Sequence, residues 1–121
     1  MPIGERAGNL IAGRIGLMPE SDVRCSGCGR EFKPEEQVAC ISGKIMGDEC
    51  TDCYYWCAGC EVYTIRLFRD VFLGPETARN SAAITKEEGD RRLKLIRSCP
   101  EPHNERCKCI GHREYFGGWL D

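Results

Sequence analysis

The sequence predicts a small metal-stabilised α+β domain, with short β-hairpins carrying zinc knuckles, one helix near residues 86–97 and long irregular termini. Three observations lead there. Leu, Ile, Val and Phe together make up only about a fifth of the 121 residues, so apolar burial alone is a weak stabiliser. Ten cysteines are present, six of them in three Cys-x-x-Cys pairs between positions 25 and 60. One later segment, rich in charge and opened by Thr85, has the pattern of a capped helix.

The cysteines act as a staple, and the first question is whether that staple is disulfide or metal. The apolar stretch from Leu10 to Met18 is interrupted by Arg14 and two glycines, and no small-residue cleavage site follows it. It does not have the form of a secretory signal, and no segment approaches the length of a membrane span. The expectation is therefore a cytoplasmic chain without a membrane segment, whose thiols stay reduced and bind metal. The formal net charge of −2 argues against a general polyanion binder.

Two regions are expected, a Gly-rich arm over 1–23 and a cysteine-rich metal-binding domain over 24–121. Gly4, Gly8, Gly13 and Gly16 break the arm too often for a helix. Residues 24–60 form the first knuckle region, with short strands around Phe32 and from Val38 to Met46, turning at Ser42-Gly43. Residues 61–121 hold a hairpin, a helix and a Cys/His tail. The hairpin runs from Glu61 to Phe68, turns at Arg69-Asp70 and returns through Val71 to Leu73. In the helix Thr85 and Glu88 have capping-box spacing, and Glu87–Arg91, Glu88–Arg92 and Asp90–Lys94 are acid-first i,i+4 pairs. Leu93 and Ile96 give it a narrow apolar face before Pro100.

The candidate metal ligands are Cys25, Cys28, Cys50, Cys53, Cys57, Cys60, Cys99, Cys107, Cys109 and His112. Two residues between thiolates allow a tight turn to aim both sulfurs at one ion, and two such pairs complete the tetrahedron that zinc prefers. Two zinc ions are expected, with three as the upper count. The arrangement favoured by chain order groups Cys25, Cys28, Cys50 and Cys53, leaving Cys57 and Cys60 to take ligands from the tail. A crossed arrangement joins Cys25/Cys28 to Cys57/Cys60 and Cys50/Cys53 to the tail. A third lets Cys99, Cys107, Cys109 and His112 close a site alone. Spacing does not separate the three. Cys40, with Val38 and Ile41 close by in sequence, reads as a buried structural thiol, and His103 as an ordinary loop residue.

The run Arg24-Cys-Ser-Gly-Cys-Gly-Arg-Glu-Phe32 resembles the first knuckle of a zinc ribbon or a rubredoxin. The wider order of the three pairs is similar to that of a LIM module, departing from it by Cys50, where LIM domains usually carry histidine, and by the 38 residues between Cys60 and Cys99. These resemblances imply generic zinc-knuckle geometry. All-cysteine ligation also suits a single iron ion or an iron–sulfur cluster, the alternative cofactor.

For function, the thiolate-rich donor set fits closed structural sites, and no hydrolase or phosphate-loop motif occurs. The expected role is a non-catalytic zinc-binding accessory subunit or protein-interaction module. The partner would be a larger protein, held through the N-terminal arm and through Tyr115, Phe116, Trp119 and Leu120. An iron-binding electron carrier is one alternative. A nucleic-acid-binding protein is another, because residues 91–113 carry seven basic side chains against Glu101 and Glu105.

Overall fold

A computed structural model describes residues 23–121. The arm expected over residues 1–23 lies outside this range except for Val23, which is buried. A single 3-10 turn (Pro34–Glu36) leads into strands β1 (Gln37–Ile45), β2 (Asp48–Cys57), β3 (Val62–Asp70), β4 (Glu76–Asn80) and β5 (Ile84–Thr85). Helices α1 (Lys86–Ser98) and α2 (Ile110–Tyr115) follow. The sheet is antiparallel in the order β1-β2-β3-β4, with β5 paired to the start of β3.

Side chains alternate across the sheet, and each face builds its own core. Ile41, Tyr54, Tyr63 and Ile65 point to one side, where Leu93 and Ile96 of α1 pack on them. Cys53, Tyr55 and Cys57 point to the other, where Val23, Cys25 and Phe32 cover them. Two small cores thus share β2 and β3, which suits a chain short of large aliphatics.

Two predicted turns are strand instead. Ser42-Gly43 lies inside β1, and the reversal falls at Met46 and Gly47, both with positive φ (52° and 86°). The reason is a close approach. A Cβ on Gly43 would sit 2.6 Å from the Phe116 ring and 2.8 Å from Leu120, so this glycine lets the C-terminal tail lie on the strand. Arg69-Asp70 likewise belongs to β3, and Val71, Phe72 and Leu73 form the turn to β4. Aromatic and β-branched content alone does not mark where a strand ends.

The helix runs one residue beyond expectation. Thr85 accepts the Glu88 N–H at 3.2 Å, but the Glu88 carboxylate turns to Arg91 and Arg92 rather than back to the cap. Asp90 pairs with Lys86, not Lys94, and also accepts the Tyr63 hydroxyl, tying α1 to β3. Gly89 is buried flat against the Tyr63 ring. The tail, expected to be irregular, contains α2. Tyr115 of this helix donates to Asp52 at 2.8 Å and meets the Tyr54 hydroxyl at 2.6 Å. Arg69 binds the other Asp52 oxygen at 3.1 Å, so this buried carboxylate is fully engaged.

Candidate metal centres

The chain reverses tightly at Cys25–Cys28 and again at Cys57–Cys60, in the same way. The Gly29 N–H donates to the Cys25 carbonyl at 2.8 Å, and the Glu61 N–H donates to the Cys57 carbonyl at 2.8 Å. The residue after each second cysteine is left-handed, Gly29 at φ 82° and Glu61 at φ 56°. Both turns read Cys-x-Gly-Cys. Within the first, the Gly27 N–H points at the Cys25 sulfur (3.3 Å), and a Cβ on Gly27 would come within 3.1 Å of the Cys60 sulfur. The two knuckles therefore face each other across a narrow gap. Their four sulfurs all lie within 4.8 Å of one another.

The second centre is built from the ends of two helices. Cys99 terminates α1, and Cys109 caps α2, its sulfur accepting the His112 N–H at 3.3 Å. Cys107 and the fully buried His112 complete it. Cys99 Sγ is 3.6 Å from Cys107 Sγ and 3.3 Å from His112 Nδ1. For zinc–sulfur bonds of about 2.3 Å a tetrahedron has edges of about 3.8 Å, slightly less where nitrogen replaces sulfur. These two separations are edges of that size, so they suit a tetrahedral ion at the second centre, and the four sulfurs of the first lie close enough to share one ion. His112 Nε2 faces the Ser42 carbonyl of β1 at 2.6 Å. That bond places the proton on Nε2 and leaves the Nδ1 lone pair for the metal.

Thiols crowded without an ion do not ionise together. The Arg30 guanidinium, helped by the Cys60 backbone N–H, pulls Cys57 down to about 6. Cys60, hydrogen-bonded to Cys28 and its other neighbours, is pushed up to about 12. Burial first, then Cys107 and Cys109, push Cys99 up to about 12, whereas the His112 backbone N–H lowers Cys109. One ready thiolate beside reluctant ones is the pattern a divalent cation resolves by displacing the remaining protons.

No family model, curated protein or solved structure matches the chain.

The grouping favoured by chain order is not the one assembled. Cys57 and Cys60 join Cys25 and Cys28, and the tail closes its centre with its own four donors. Cys50 and Cys53 enter neither cluster. They lie on β2, where residues three apart face opposite sides of the sheet, so they cannot aim at one ion. Cys53 reaches across to its register partner Cys40 in a disulfide. Cys40 is thus a bonded, half-buried cysteine rather than a free core thiol. Cys50 is a free buried thiol, raised by burial, in a hollow of about 460 Å³ that it shares with Asp52, Arg69, Arg92 and Tyr115. His103 is exposed in its loop.

The signal that separates the pairs is a glycine. Both pairs of the first cluster carry it before the second cysteine. Cys50-Thr-Asp-Cys53 lacks it and sits among strand-forming residues. Of the C-terminal apolar residues, Tyr115, Phe116 and Leu120 pack toward the chain's own sheet, and Trp119 remains 70% exposed. Among the described residues no helix is long and apolar enough to cross a membrane.

Proposed function

We propose that this protein is a non-catalytic interaction module, stabilised by two zinc ions, that serves a larger partner protein as an accessory subunit. The observation that carries this reading is the pair of complete four-donor sets. One is four cysteines on two knuckles, and the other is three cysteines and a histidine at two helix ends. Four protein donors close a zinc coordination sphere, which suits a structural role rather than one that needs an open position for substrate. Each ion would replace apolar core that the sequence lacks, contributing on the order of 10 kcal/mol to folding. The basic residues of 91–113 support nucleic-acid binding less well, because Arg91 and Arg92 are paired with Glu88.

The matched knuckles favour one second reading, an iron ion in the Cys25/Cys28/Cys57/Cys60 centre and a role in electron transfer, since a tetrahedral four-sulfur site accepts either metal. Native mass spectrometry of the protein from its source cell, with elemental analysis and a visible spectrum, tests both. Two zinc ions, no visible absorption and a bound larger protein are expected. A coloured, iron-containing monomer overturns the module in favour of the carrier, and a metal-free chain overturns both.

A further inference from the structure

Two turns meet at the end of the sheet farthest from the knuckles. They are the β1–β2 turn at Met46-Gly47 and the β3–β4 turn from Val71 to Leu73. The Phe72 N–H donates to the Asp48 carboxylate at 3.1 Å, and a Cβ on Gly47 would touch the Phe72 side chain at 3.8 Å. The last residue, Asp121, clamps the first turn by accepting the N–H groups of Met46 (2.6 Å) and Gly47 (2.9 Å). These turns are held in shape by hydrogen bonds.

What they present is apolar. Met46 is 82% exposed, Phe72 71%, Leu73 92% and Val71 39%. Two of these residues also carry backbone strain. Met46 has φ 52° and Leu73 φ 62°, in the left-handed region that glycine or asparagine occupies at ordinary turns. Large side chains held there, and turned to solvent, cost stability twice. The turn geometry accounts for the backbone, as at Glu61, but not for large apolar side chains exposed together on it, and such a patch is available for contact with something outside the fold.

The charge beside them says what. Glu49, Asp70 and Glu76 stand directly opposite one another on three neighbouring strands, in register, and the one cation that continues the row, Lys44 of β1 opposite Glu49, is also drawn to Glu105 at 3.9 Å. They line a hollow of about 240 Å³ with Thr51 and Phe68. Carboxylates in direct cross-strand register repel and destabilise a sheet. Arg69 also borders the hollow, but its guanidinium is engaged by Asp52 and the Phe68 carbonyl.

We infer that this end of the sheet is a docking surface for a basic segment of a partner protein, whose apolar anchor packs on Met46, Phe72 and Leu73 while its Lys or Arg side chains neutralise the Glu49–Asp70–Glu76 row. The inference rests on the interaction-module reading and names the surface and the chemistry of its partner. Charge complementarity selects this occupant, since an anionic membrane or nucleic acid is repelled by the same row.

A random twelve-residue peptide library displayed on phage, selected against the zinc-loaded full chain, tests it. L73G and the triple variant E49Q/D70N/E76Q serve as parallel targets. Peptides combining several Lys or Arg with one or two large apolar residues should be enriched. Synthetic copies should bind the unaltered chain at least tenfold more tightly than either variant, and more weakly as salt rises. L73G relieves strain, so its melting temperature should hold or rise, which separates lost binding from lost folding. Enrichment of neutral or acidic peptides, equal binding to the variants, or sedimentation showing that this end joins two copies of the chain would overturn the surface. Zinc counted on the same samples separates two failures. Two ions per chain without basic peptides defeats the surface alone, and a metal-free chain defeats the reading beneath it.

Discussion

His112 does two jobs with one ring. Nδ1 faces the thiolates and Nε2 binds the Ser42 carbonyl, so the ring ties the second centre to β1, beside the Ser42 N–H that donates to the Pro102 carbonyl at 2.8 Å. Replacing it by cysteine keeps four donors but orphans that carbonyl. H112C should retain two ions by elemental analysis while losing about 1–3 kcal/mol in denaturant unfolding, the cost of a buried polar group left unpaired. Cysteines differ in the same position-dependent way. C28S or C107S should each lose one ion and the packing around it. C50S should keep both, because its thiol belongs to neither centre. The Cys40–Cys53 bridge also lies outside both, so treatment with a non-chelating phosphine reductant should leave the metal count unchanged, as elemental analysis would show.

At the scale of elements, glycine explains what the sequence reveals and what it hides. The knuckle at Cys25–Cys28, the capped helix after Thr85 and the strand from Val62 are legible because local chemistry decides them. The β1 turn is misplaced by local rules because Gly43 answers to Phe116 and Leu120, more than seventy positions away, and no local rule sees that contact. Cys50 and Cys53 group with the first knuckle on spacing alone, because spacing looks alike on a turn and on a strand. The pairing of Cys57 and Cys60 stays open in the sequence for the same reason. Gly89 makes the point measurable. In an isolated helix Gly→Ala is stabilising by about 1 kcal/mol. Here the added methyl would drive into the Tyr63 ring, so G89A should destabilise instead, by about 1–3 kcal/mol for an overpacked contact. Thermal unfolding of the metal-loaded protein reads the sign directly.

For the whole molecule, proton and metal compete for the same atoms. In the metal-free fold Cys57 is pulled down to about 6, while Cys60 and Cys99 are pushed up to about 12. Between those values metal uptake must displace protons from the two raised thiols, so affinity rises with pH. It falls as acid also protonates Cys57 near 6. Calorimetric titration of zinc near pH 7.5 should show proton release in buffers of differing ionisation heat, and acidification below about pH 5 should free both ions and unfold the chain. The two donor sets also fall in separate stretches of sequence, 25–60 and 99–112. A ribosome makes the chain in that order. The first centre has all its ligands once residue 60 has emerged, while the sheet still lacks β3 and β4, and the second must wait for His112. With ions bound as proposed, synthesis would pass through a chain loaded at the first centre alone, its sheet face still awaiting α1. A shortage of metal after the first centre had filled would leave the ends of α1 and α2 without the ion that joins them.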